Sequence, residues 1–215
     1  PSAPIFREPV DHILVNHVVD HPASLIEQIR ALADDLHVPY DVILHDYFFV
    51  CPRINLIDDR NRFCNVGPIE RCIACVARAG SDAKGVDIAE WRPQHVQFLE
   101  TARRVIVPSE DARRRLLPWV GRAIEVLEPE LDVPPPSTPV RRRSGPIRVV
   151  AIGALSYVKG ATVLECVARA SKRRNSSLSF ALIGGAVNKT RLRRAGVKVT
   201  GAYREDDLPA LVEAN

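Results

Sequence analysis

The sequence predicts an α/β protein of two parallel-sheet domains. Three observations carry this. Short apolar runs alternate with helical periodicity over residues 13–44 and again over 147–183. A stretch that cannot form core, Leu131-Asp132-Val133-Pro134-Pro135-Pro136-Ser137-Thr138-Pro139 followed by Arg141-Arg142-Arg143 and Ser144-Gly145-Pro146, separates the two regions and reads as a semi-extended linker. His45-Asp46 and Gly153 stand directly after apolar runs, at the carboxyl ends of strands, where open α/β sheets place ligands. The expected organisation is residues 1–133, a linker at 134–146, and residues 147–215.

The elements follow in order. Ile13-Leu14-Val15-Asn16-His17 is a short strand segment. Ser24-Leu25-Ile26-Glu27 has the form of a capping box, with Ser24 capping a helix and Glu27 reaching back. Leu25, Ile26, Ile29, Leu32, Ala33 and Leu36 recur at helical spacing, and Pro39 ends the element. Val42-Ile43-Leu44 is the next strand, so a right-handed parallel crossover is expected. Residues 51–90 are polar, cysteine-bearing and weakly periodic, and read as an insertion or loop near a site. A helix is expected around 93–102 and a strand at 104–107. Pro108-Ser109-Glu110-Asp111 then starts a helix, with Ser109 as cap and two acids where the helix dipole favours them.

In the second region, residues 147–152 read as a strand and 153–159 as a turn. Residues 161–172 read as a helix with Val163, Leu164, Val167 and Ala168 facing inward. Cys166 falls within that pattern and reads as core. Residues 178–183 form a strand ending at Gly184-Gly185, 188–195 a short basic helix closed by Gly196, and 197–200 a third strand. A last helix starts at Asp206.

Composition bounds the function. With 46% apolar and 26% charged residues the chain is globular rather than disordered or fibrous. No apolar run approaches the roughly 20 residues that span a bilayer, and no basic-then-apolar signal opens the chain. It begins Pro1-Ser2-Ala3 and contains no Met, so an excised piece of a longer protein is expected. Much of the net charge of +4 sits in short arginine clusters at 113–115, 141–143 and 193–194. No aromatic platform is interleaved with these arginines, and a nucleic-acid partner is not expected.

Two constellations carry chemistry. Gly153-Ala154-Leu155-Ser156-Tyr157-Val158-Lys159-Gly160 joins strand to helix. Glycine admits a ligand close to the backbone, helix amides attract anions, and Lys159 adds a full charge, so a diphosphate fits. The turn is neither G-x-G-x-x-G nor a Walker A loop. Cys51, Cys64, Cys72 and Cys75 form the second. The closing C-x-x-C pair is half of a tetrahedral zinc site. Structural zinc, packed reduced thiols, and disulfides or an iron–sulfur cluster all remain open. His45 and His17 at strand ends are candidate polar or proton partners of an acceptor hydroxyl.

These residues resemble a family. Asn16-His17, His45-Asp46-Tyr47 with Cys51-Pro52-Arg53, and Val107-Pro108-Ser109 look like the amino-terminal domain of group-1 (family 4) glycosyltransferases with the GT-B fold. Ile152-Gly153 with Lys159-Gly160, then Ala181-Leu182-Ile183-Gly184, look like the opening of their donor-binding domain. The four-cysteine segment is similar to that of bacterial members linked to cell-surface polysaccharides. The resemblance implies two Rossmann-like domains, both incomplete in this piece, and retaining transfer of a hexosyl group from a UDP- or GDP-sugar to a saccharide or lipid-linked acceptor, with no cofactor required for the chemistry. It implies that Lys159 holds the donor diphosphate and Gly153 lets it approach. Gly184 would line the donor site, and Gly201-Ala202-Tyr203 would lie near the base. His45 would contact the transferred sugar or acceptor, and His17 and Asp46 would stand on the acceptor side. The implied location is cytoplasmic, with peripheral contact at the inner membrane if the acceptor is lipid-linked. Two departures stand out. Ala154 occupies the position where many members have an arginine, and the residues up to Asn215 are read as stopping short of the family's acidic E-x7-E element. The expectation is that this piece alone has no turnover. A non-catalytic binding or scaffold module with a structural zinc site is the alternative.

Overall fold

The computed structural model describes residues 9–83, 85–129 and 147–214. The chain divides into two compact units, Pro1–Pro134 and Pro135–Asn215. The linker expected at 134–146 lies outside the described residues. Each unit is α/β with a parallel sheet, in the manner of a Rossmann-like fold.

Unit 1 holds a four-stranded sheet in the order β1 (Ile13–Val15), β2 (Tyr40–Ile43), β3 (Arg104–Val107), β4 (Glu125–Val126), every pairing parallel. Its helices are α1 (Leu25–Leu36), α2 (Ile69–Ala79), α3 (Ile88–Thr101) and α4 (Glu110–Leu116). Val42, Val105 and Val107 are fully or almost fully buried and pack with Phe48, Phe98 and Leu99. Such β-branched runs suit strands covered on both faces. At the start of β2, the buried Asp41 carboxylate binds Arg103 (2.8 Å), Arg104 (2.8 Å) and His12 (3.1 Å), tying three strands together. These guanidinium groups hold the Asp41 carboxyl well below the usual carboxylate range, Arg103 foremost.

Several local details depart from the sequence reading. Ser24 makes no side-chain cap, and its own backbone is helical; its hydroxyl accepts from Gln28 Nε2 instead (3.3 Å). Helix α1 ends at His37, which adopts the left-handed conformation, so the stop precedes Pro39. Helix α3 begins at Ile88, capped by Asp87 accepting from Ala89 N–H at 2.8 Å, and runs through Pro93 rather than starting near it. Residues 51–90 are therefore not one loop: they include α2 and the first turn of α3. Strand β4 was not foreseen, being two residues long. Ser109 does cap α4, accepting from Ala112 N–H at 3.2 Å.

Unit 2 holds a three-stranded parallel sheet, β5 (Arg148–Ile152), β6 (Ser179–Ile183) and β7 (Val197–Val199), with helices α5 (Ala161–Arg173), α6 (Lys189–Arg194) and α7 (Leu208–Ala214). Phe180, Leu182, Leu192 and Val197 form its core with Ala168. The inward face of α5 differs from expectation. Ala161, Glu165, Ala168 and Ser171 are buried, whereas Val163 is 65% and Val167 47% exposed. Glu165 sets this phase: its carboxylate takes Arg169 (3.0 Å), Arg191 (3.0 Å) and Asn188 (3.1 Å), which anchors α6. Cys166 is consequently exposed, not core. Among the described residues no helix is long and apolar enough to cross a membrane.

Buried His95 stacks on Trp91 (3.7 Å) and donates from Nδ1 to the Trp91 carbonyl (2.9 Å). Burial pushes its pKa down to about 4 from 6.5. The unfolded chain therefore binds a proton that the folded chain refuses between those values, and stability falls as pH drops through that window. Chemical denaturation at pH 7 and pH 4.5 should show a loss of up to about 3 kcal/mol, and His95→Asn should remove most of this dependence. A pH dependence unchanged in the variant would mean that other groups carry it.

Candidate functional site

In unit 2 the site is built from the carboxyl edge of the sheet. Ile152 pairs with Ile183 and Leu182 with Val199, so the chain leaves all three strands along one edge. Each exit carries a glycine with positive φ: Gly153 (113°), Gly184 (134°) and Gly201 (91°). The turns are bonded to one another. Gly153 N–H donates to Ile183 O (2.9 Å) and Gly201 N–H to Gly184 O (3.2 Å). Gly184 N–H donates to Thr200 Oγ1 (3.1 Å). A Cβ on Gly184 would lie 2.1 Å from the Gly153 carbonyl oxygen, whereas one on Gly153 would meet open space. Glycine at 184 thus admits a second backbone, and the open side lies at Gly153.

Helix α5 starts directly after this turn. Its N-cap is Gly160, in the left-handed conformation, and no side chain caps the first turn. Ala161 N–H donates to Ser156 O (3.0 Å); the amides that follow it in the first turn are left with the helix dipole to attract an anion. Exposed Lys159 precedes the cap, its backbone N–H donating to Ser156 Oγ at 3.2 Å. Tyr203 is half-buried two residues beyond Gly201. The structure thus brings Gly153, Gly184 and Gly201 together, with Lys159 at the amino end of the adjoining helix.

In unit 1, His45 and His17 leave neighbouring parallel strands and are exposed. His45 Nε2 donates to Asn16 Oδ1 at 2.8 Å. Asn16, His17, His45 and Asp46 line one small pocket of about 10 Å³ with Phe49. Asp46 has a backbone task as well: its Oδ1 accepts from Phe48 N–H (2.8 Å) and forms the turn after β2.

That turn is buried, and α3 makes this affordable. Phe48, Phe49, Val50 and Cys51 all lie inside. Trp91 Nε1 donates to Phe48 O (3.0 Å) and Arg92 Nε to Val50 O (2.7 Å), so carbonyls that have lost water keep a partner. Beyond the turn lies a second small core of Cys51, Leu56, Cys72 and Ile88, packed by Cys64, Ile69 and Val76. All four predicted cysteines line one cavity there. All four are free thiols. Burial pushes the Cys51 thiol up to about 11 and raises that of Cys75.

Arg92 and Asp41 escaped the sequence reading. A signal for Arg92 existed. The buried face of α3 is Ile88, Trp91, Arg92, His95, Phe98 and Leu99, an unbroken helical stripe in which Arg92 and His95 are the polar members. No family model matches the chain, and no curated protein matches it.

Replacing the two glycines separates their roles. Gly153→Ala should cost about 1–2 kcal/mol for its φ alone. Gly184→Ala should cost more than about 3 kcal/mol, because strain and a backbone collision add. Thermal unfolding of the two variants checks this; equal losses would contradict the close approach.

Proposed function

We propose that the chain is the nucleotide-sugar-handling part of a retaining, group-1 (family 4) type glycosyltransferase. It would transfer a hexosyl group from a UDP- or GDP-sugar to a saccharide or lipid-linked acceptor in surface polysaccharide synthesis. The observation that carries this is the edge of unit 2, where three glycine turns meet beside a helix start without a side-chain cap and beside Lys159. A departing nucleoside diphosphate gains negative charge as the glycosidic bond breaks. Fixed amides and a lysine stabilise that charge without reorganising. His45, whose ring is held by Asn16 at 2.8 Å, would contact the transferred sugar or the acceptor hydroxyl. Gly201 and Tyr203 would flank the base, and His17 and Asp46 the acceptor. By the family resemblance, the chemistry itself would require no cofactor.

A second reading, a non-catalytic binding module, is favoured by Ala154, which leaves the phosphate turn without a second cation. Calorimetric titration with UDP and GDP separates the two readings. The transferase reading expects one of them to bind, and Lys159→Ala to weaken it about 10- to 100-fold through loss of a charge-assisted hydrogen bond. Binding of neither nucleotide, or equal binding by the variant, would favour the module.

A further inference from the structure

The fold narrows the readings left open for the cysteines. Cys51 closes the buried turn after β2. Cys64 is placed by its N–H donating to Leu56 O at 2.9 Å. Cys72 and Cys75 are three apart on α2, one turn along the same face. Three separate stretches of chain therefore bring four cysteines to one cavity of about 20 Å³, room for a single water-sized guest.

We propose that Cys51, Cys64, Cys72 and Cys75 bind one zinc ion as a tetrathiolate centre, with Arg92 as its buried counter-cation. Four sulfur donors are the set that zinc takes in closed structural sites. The independent observation is Arg92. It is 5% exposed, yet among the described residues no carboxylate pairs with it. Its Nη2 donates to Cys72 Sγ at 3.1 Å, and its guanidinium lies 4.6 Å from the Trp119 ring centre. A buried cation needs a negative partner, and the thiol sulfur is the group in place to become one. A zinc tetrathiolate carries a net double negative charge, which a neighbouring guanidinium offsets and orients.

Packing argues the same way. The apolar side chains of this second core are few, Leu56 and Ile88 being its buried members other than cysteine. Metal ligation supplies the cohesion that hydrophobic area does not. No three of these side chains stand as a ready ligand group among the described residues, so the proposed centre requires the thiols to turn toward a common point when the metal enters. Each thiol gives its proton to solvent as its sulfur lone pair enters the metal shell. No electron transfer is involved.

The test is a Co(II) titration of the reduced 215-residue protein, followed by Zn(II) competition. One Co(II) per chain is expected, with sulfur-to-metal charge-transfer absorption and tetrahedral visible bands that Zn(II) abolishes. Cys75→Ser should lose the tetrathiolate spectrum and weaken binding at least about tenfold, while Cys166→Ser should match the parent. The reduced parent protein decides the matter even if Cys75→Ser fails to fold. Absence of the charge-transfer bands in it, or a disulfide among the four found by mass spectrometry in zinc-supplemented protein, would overturn the proposal. Nucleotide binding by unit 2 is a separate measurement, so either proposal can fail alone.

Discussion

Parallel pairing is the constraint on which both units depend. Every strand pair in the two sheets runs parallel, so each strand must be followed by a crossover and each crossover leaves from the same edge. That edge collects the chain exits: Asn16-His17 and His45-Asp46 in unit 1, Gly153, Gly184 and Gly201 in unit 2. The clustering of polar groups and glycines follows from topology before any side chain has a role. It also explains why Gly184 has no alternative residue. Two exits from adjacent strands pass so closely that a Cβ on one enters the carbonyl of the other.

The cost of this arrangement appears in unit 1, where the exit from β2 dives into the core instead of returning to solvent. A buried turn strands its carbonyls unless a neighbour donates to them. Helix α3 supplies those donors from Trp91 and Arg92, and the same Arg92 then reaches the cysteine cavity through Cys72. Arg53 plays the matching part from the other side, donating to Ile57 O (2.7 Å) and to the carbonyls of Ala79 and Gly80 that end α2. Asp58 holds the intervening turn through the N–H groups of Arg60 and Arg62 and the guanidinium of Arg71. The segment between Cys51 and α3 is thus organised by charged groups bonding to backbone and sulfur more than by apolar area.

How far the sequence could be read follows from the range of each interaction. Strands β2, β3, β5 and β6 were legible because each falls in a short apolar run bounded by polar or turn residues. The cap of α4 was legible because Ser109 bonds three residues away. Ser24 had the same local pattern and made no cap, since the pattern states only that the bond is available. The face of α5 was misread for a different reason. Val163 and Val167 form a plausible apolar stripe, but Glu165 turns the helix toward α6, and its partners Asn188 and Arg191 lie over twenty residues away. Helix α2, hidden in residues 51–90, escaped because its inward face of Ile69, Cys72, Cys75 and Val76 is short and half cysteine.

The sequence by itself determined the α/β class, the order of the main strands and helices, the residues available at the strand exits, and the presence of four cysteines in one segment. Those are consequences of local periodicity and residue chemistry, which act over one or two turns. Only the tertiary structure decided that Gly153, Gly184 and Gly201 meet, that His45 is held by Asn16, that the four cysteines line one cavity, and that a buried arginine stands against one of them. Each of these is a contact between residues far apart in sequence, set by strand register and helix phase, and no local pattern encodes it.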